Sequence, residues 1–475
     1  MNSQPIRRIL AFAFTAAWAL LSLPAALHAQ QDATPAPAQG GDQSPAPQVA
    51  PGPVGGVEGY QVPGASLGHS YAVVRFGLQE VYDSNTAYAT TTSGSQASSV
   101  TTLTGGLSLQ WLKRDSTFSL DYTSEGLIYN PQFVSDGTVQ QLGVTEKVAA
   151  RRWKLLFGEN FSYLPNSAFG LGGLGYLNGI SGFPGTGGVT SFNPSQVPTQ
   201  TIVAPSVSQF SSTSMFQAQY LINGRSSING SVVVGFLHFF GDNLLNTRDV
   251  NARFGYDLSL TPRDTLNFSY MATILDYPSG GIPGFTSHYA QVGYRRYLTG
   301  RLQFFVSAGP VISHFSPMMG QTTVSGGANY VSWSLQSTLD YVLRKGRISG
   351  SYTHGVAGGS GYFAGSTSDQ FSGNYSQKLG RFWSFSFLGG YAHNGAIQQT
   401  LTTGVSPSAA FDYWFAGVNV SRSIGRNASL SFNYNVSEQT TNTTVCANML
   451  ACGPIALTQV AGMTLNWSSR PHKLD

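Results

Sequence analysis

From about residue 70 onward, apolar and polar residues alternate along the chain with a period of two. In 428–437, Leu430, Phe432, Tyr434 and Val436 interleave with Ser429, Ser431, Asn433, Asn435 and Ser437. In 250–260, Val250, Ala252, Phe254, Tyr256, Leu258 and Leu260 interleave with Asn251, Arg253, Gly255, Asp257 and Ser259. Leu266, Phe268, Tyr270 and Ile274 again share one parity. Successive side chains of a strand point to opposite faces, so this pattern predicts strands with one apolar and one polar face. About 18 such segments can be counted, among them 117–129, 209–222, 382–393 and 428–438. Short connections such as Lys113–Ser116, Arg151–Arg152 and Gly425–Asn427 take turns with longer ones, the longest being 164–208. Strict alternation of short turns and long loops is what a closed, even-stranded meander requires. The fold class read from the pattern is therefore all-β. It is a closed up-and-down antiparallel transmembrane β-barrel of about 18 strands, with 16 as the neighbouring even number.

Strand length and tryptophan position set which face points outward. Segments of about 10 to 16 residues exceed the usual 5 or 6 of a sandwich strand and suit a tilted bilayer crossing. Trp111, Trp153, Trp383 and Trp467 lie beside the short turns, and Trp333 and Trp414 near the long loops. Two interfacial aromatic belts predict that distribution. Composition agrees: only 10% of the 475 residues are charged, against about 25% in soluble domains. Aromatics reach 12%, too many for a disordered chain. No long apolar run follows the N-terminal segment, which excludes a helical membrane protein. The net charge of +4 is spread thinly and gives no basis for nucleic-acid binding. Lysines and arginines gather in or beside the short turns and are absent from the long loops.

The N-terminal residues read as an export signal over 1–29. Arg7 and Arg8 are followed by an apolar stretch from Ile9 to Leu23 and a cleavage region near Ala29–Gln30. Residues 30–66, rich in Pro, Ala, Gln and Gly, are expected to form a flexible periplasmic tail. The barrel is expected over 67–467, with 468–475 as a short C-terminal tail.

The final strand carries Gly462, Leu465 and Trp467. In this spacing the chain resembles bacterial outer-membrane β-barrel proteins of porin-like type, whose last strand ends in a Gly-x-x-hydrophobic-x-aromatic assembly signal. It departs from that pattern at Val460, where a polar residue is usual, and in the eight residues that follow Trp467. No specific porin family is matched by motif. The resemblance implies residence among outer-membrane lipids and lipopolysaccharide, with periplasmic chaperones and the barrel-assembly machinery as partners. It also implies that the third long loop, 164–208, folds inward to narrow the pore. That loop has no charged residue, and Phe169, Leu171, Leu174, Tyr176 and Phe183 are its constriction candidates.

The polar parity is expected to line the lumen. Its charged members are Arg75, Lys147, Lys154, Arg253, Arg295 and Lys378 against Asp121, Glu125, Asp257 and Asp340. A sparse, nearly balanced set of charges predicts weak selectivity with at most a slight anion preference. His238, His288, His314, His354 and His393 share the apolar parity and read as interface anchors rather than metal ligands. Ser287 and His288 are adjacent in a strand and face opposite ways, so they form no catalytic dyad. No enzymatic, cofactor or metal site is expected. Cys446 and Cys452, in one long loop outside the cytoplasm, are expected to pair as a disulfide. The function read from these features is passive diffusion of small polar solutes. A plugged structural or surface-interaction barrel, and an export channel for polysaccharide or a hydrophobic substrate, remain as alternatives. No strand face marks an oligomer interface.

Overall fold

The computed structural model describes residues 70–86, 96–165, 207–241, 244–278, 284–315, 329–358, 365–397, 410–425, 427–441 and 455–474. The predicted signal segment, the predicted tail, loop residues Phe169, Leu171, Leu174, Tyr176 and Phe183, and the Cys446–Cys452 pair lie outside them.

Eighteen long strands follow one another in the sheet. The first six are Tyr71–Asp83 (β1), Ser98–Leu112 (β2), Ser116–Asn130 (β3), Gly137–Ala150 (β4), Trp153–Leu164 (β5) and Gln209–Asn223 (β6). The next six are Ser226–Phe239 (β7), Thr247–Ser259 (β8), Asp264–Asp276 (β9), Phe285–Tyr297 (β10), Leu302–Phe315 (β11) and Asn329–Val342 (β12). Gly346–Ala357 (β13), Ser366–Leu379 (β14), Trp383–Ala396 (β15), Ala410–Ile424 (β16), Ala428–Thr441 (β17) and Ile455–Ser468 (β18) complete the series. Each pairs antiparallel with its sequence neighbours, and β18 returns to β1 in register from Arg75↔Ser468 to Asp83↔Val460. The sheet is thus a closed up-and-down barrel, as the alternation predicts. A two-residue strand, His472–Lys473 (β19), extends the predicted C-terminal tail along Tyr71 and Ala72.

Observed strand ends lie close to the predicted ones. The largest extensions are at the long-loop ends: β15 runs to Ala396 and β17 to Thr441, where predicted spans stop at 393 and 438. There the side chains no longer alternate, but the backbone ladder continues.

The two faces are inverted relative to a soluble protein. On the outer face Phe76, Phe254, Phe268, Val292, Phe371 and Met463 are each about half exposed, whereas inner Gln79, Asn251, Ser269, Ser307, Ser372 and Thr464 are buried. An apolar skin over a polar interior is stable only where the surroundings are hydrocarbon, and ladder closure leaves no unpaired edge. Strands of 12 to 15 residues at roughly 3.3 Å per residue span a bilayer when tilted by about 45°.

All six tryptophans outside the predicted signal lie on the outer face. Beside the short turns, Lys113 sits over Trp111 at 5.9 Å and Arg422 over Trp383 at 5.3 Å. Such rings and long basic stems suit the headgroup level. The β18–β1 closure carries the C-terminal motif. Trp467 stacks on Phe76 across it at 5.9 Å, and Leu465 pairs with Leu78. Gly462 faces inward, where a Cβ would strike Val81 at 2.7 Å.

Candidate functional site: the barrel interior

Inward-facing residues form three zones. The first is a set of charges. Arg75 reaches across β2 to Asp121 at 3.2 Å, passing over Gly106, and Ser108 also donates to Asp121. Asp340 pairs with Arg347 at 2.8 Å. Asp257 accepts hydrogen bonds from Asn229 (2.6 Å) and Asn267 (2.7 Å), and Arg253 donates to Asn267 (3.3 Å) and Ser269 (3.1 Å). Arg295 lies over the Phe305 ring at 5.4 Å. Glu125 is buried on β3. Lys147, Lys154 and Lys378 sit on the inner parity near the short-turn end. All ten lumen candidates therefore face inward, and two of them form one ion pair with each other.

Three inward charges went unnoticed in the sequence. Asp249 is buried on β8 and bonded by Asn251 at 2.5 Å, Asp83 caps Asn85 at the end of β1, and Arg347 opens β13. Asp249 and Arg347 lie on lumen parities that the alternation already marks; Asp83 falls just past the predicted strand end. With them the wall is closer still to charge balance.

The second zone is an apolar collar at the long-loop end, which the alternation does not predict. Leu237, Phe239, Leu275, Phe285, Tyr289, Val311, Phe315 and Phe411 face inward and form one buried cluster with Leu244, Leu245, Tyr277 and Val356. Val100, Leu127, Tyr129 and Val139 form a second, separate inward cluster on β2, β3 and β4. Tyr289 donates to the Val356 carbonyl at 3.2 Å and Tyr277 to that of Gly358 at 3.1 Å. Three strand spacings are about 14 Å of sheet, so the Tyr289 hydroxyl ties β10 to the end of a strand three places on. Below the collar the inner face is made mostly of Ser, Thr, Asn, Gln and Gly. At the long-loop ends of β7, β9, β10, β11 and β16 it carries the apolar residues of the collar. The signal was present in runs such as Phe236–Phe240 and Phe411–Phe415.

The third zone is a neutral polar field on β17, β18, β1 and β2. Gln79, Thr102, Thr104, Ser429, Ser431, Asn433 and Thr464 are buried, and each has side-chain polar atoms with no hydrogen-bond partner.

The histidines lie on the outer face. His354 and His393 accompany carboxylates that the sequence reading did not single out. His354, Asp369, His393 and Asp412 stand in one row across β13–β16, with contacts of 2.8 Å (His354–Asp369) and 2.7 Å (His393–Asp412). Tyr352 and Tyr391 donate to the same two aspartates at 2.6 Å, and Trp333 stacks on His354 at 3.9 Å. Ser287 points inward to Ser313 at 2.6 Å, away from His288.

No family model and no curated protein matches the chain. Among solved structures, it is similar to Acinetobacter baumannii OccAB3 with a TM-score of 0.42 at 11% identity, over 85% of this chain and 100% of that one. Pseudomonas aeruginosa OccK5 (OpdH) gives 0.41 at 12% identity, over 86% and 99%. Pseudomonas aeruginosa OccK2 (OpdF), in complex with glucuronate, gives 0.40 at 9% identity, over 84% and 97%. At these values the comparison adds nothing to what strand pairing shows, and the glucuronate belongs to that protein alone. Closure, strand number, inverted faces and interfacial aromatics give this chain the architecture of the porin-like barrels of bacterial outer membranes.

Proposed function

We propose that this barrel is an outer-membrane channel for the passive diffusion of small polar solutes, with its short turns on the periplasmic side. The observation that carries the reading is the inner wall. A closed 18-strand wall encloses polar side chains, and many of their buried atoms have no protein partner. Unpaired buried polar groups cost about 1–3 kcal/mol each, so their density on the lumen face favours a hydrated interior. The wall electrostatics are weak, because Arg75 with Asp121 and Asp340 with Arg347 neutralise each other. Arg253 and Arg295, on β8 and β10 to either side of β9, give at most a slight anion preference. Narrowing by loop 164–208 belongs to the same proposal, as do the assembly role of Gly462, Leu465 and Trp467 and the Cys446–Cys452 disulfide.

Vesicles carrying the refolded protein are expected to swell in isosmotic neutral solutes, more slowly as the solute grows. Deleting residues 166–206 is expected to speed swelling. Vesicles that remain closed before and after the deletion contradict the reading. The buried collar favours one second reading, a barrel plugged at its mouth; it predicts vesicles that open only after the deletion.

A further inference from the structure

We infer that the inner face of β17, β18, β1, β2 and β3 holds a binding site for a neutral, multiply hydroxylated solute, a sugar or polyol. The inference rests on the diffusion-channel reading for how the solute reaches the site. Strand register makes the field contiguous. Ser431 pairs with Thr464, Thr464 with Gln79, and Gln79 with Thr102. One inward row toward the turns, Ser429, Asn466, Gly77, Thr104 and Glu125 are aligned in the same way. Four strands thus present amides and hydroxyls side by side on one concave wall, with the Glu125 carboxyl at its β3 edge.

Burial and lack of partners point from this wall to a ligand. Gln79 is 1% exposed and neither its amide nitrogen nor its carbonyl oxygen has a partner. Asn433, 6% exposed, is likewise unpaired at both side-chain ends, and the Thr102, Thr104 and Thr464 hydroxyls and Glu125 Oε1 also lack partners. Elsewhere Asn229 and Asn267 bind Asp257 and Gln291 donates to Ser334 at 3.0 Å, while the unpartnered Gln209, Thr247, Ser307 and Ser366 are scattered over β6, β8, β11 and β14 rather than aligned in register. Amide groups and hydroxyls both donate and accept, as sugar hydroxyls do, so one polyol can satisfy several of these groups together.

Charge sets the ligand class. Glu125 is the only ionisable side chain in the field and disfavours an anion. The nearest inward cation, Arg75, lies two inward positions from Gln79 toward the turns and is committed to Asp121. Arg253 and Arg295 stand on β8 and β10, outside this arc. The apolar residues Val81, Val100 and Val460 border the field toward the mouth, where the carbon face of a sugar ring can rest.

Calorimetric titration of the refolded, detergent-solubilised full barrel with glucose, sucrose and sorbitol tests the site without requiring conduction. Saturable binding of at least one of them is expected, weakened about tenfold by Gln79→Leu and by the near-isosteric Thr464→Val. Ser231→Ala, on the opposite arc of the wall, is expected to leave it unchanged. Heat-modifiable migration verifies that each variant is folded, and the two patch variants provide independent tests. No saturable binding of any of the three, which is the result if ordered water alone satisfies these groups, overturns the inference. So does binding that neither patch variant alters. Vesicles that swell without sugar binding remove the site and keep the channel, whereas binding to protein in vesicles that stay closed removes the channel and keeps the site.

Discussion

Replacing Phe254 by arginine is expected to destabilise the barrel in a bilayer by about 2–4 kcal/mol, the cost of a guanidinium near the hydrocarbon midplane. Phe254 lies at the middle of β8 and is 58% exposed on the outer face. The adjacent Arg253 already holds a guanidinium at the same depth, but on the inner face, where Asn267 and Ser269 receive it. The contrast between two neighbouring positions isolates the direction a side chain faces from its depth. Urea titration of barrels refolded into vesicles measures the difference. A Phe254→Arg variant as stable as the parent would mean that this face does not contact lipid.

Arg75→Met is expected to cost about 3 kcal/mol, because it leaves the buried Asp121 carboxylate without its guanidinium in a poorly solvated place. Asp121 is 5% exposed, and Ser108 is its other hydrogen-bond donor. The double variant Arg75→Met/Asp121→Leu is expected to recover most of that loss, since an apolar pair removes the charge together with its partner. Equal losses in the single and double variants would show that the arginine acts through packing over Gly106 rather than through the ion pair. The same urea titration reads both.

The barrel was legible in the sequence because the bilayer imposes a period of two along every strand. Leu430, Phe432 and Tyr434 had to face lipid, and their neighbours then had to face inward. Closure could be read from the alternation of turns and loops. The inward placement of Arg75, Asp121, Arg253 and Arg295 follows from the same parity. What could not be read is contact between strands that are not neighbours. The hydrogen bond from Tyr289 to Val356 joins β10 to the end of β13, three strands on, and no local pattern encodes that contact. The collar escaped for a different reason. Near the long loops the outer face meets the interface and the inner face packs on itself, so Phe236, Leu237, His238 and Phe239 read as one apolar run without two distinguishable sides. The row of His354, Asp369, His393 and Asp412 shows the converse. Parity placed the histidines outward, but its carboxylates were masked by the expectation that charges belong inside.

Function depends on whether the polar wall encloses a continuous aqueous path past the collar. Single-channel recording of the intact refolded protein in a planar bilayer tests this most directly. The account predicts stable, stepwise conductance in potassium chloride, with at most a slight preference for chloride. Silence from protein whose heat-modifiable migration shows it to be folded would contradict the channel and leave a closed, plugged barrel in its place.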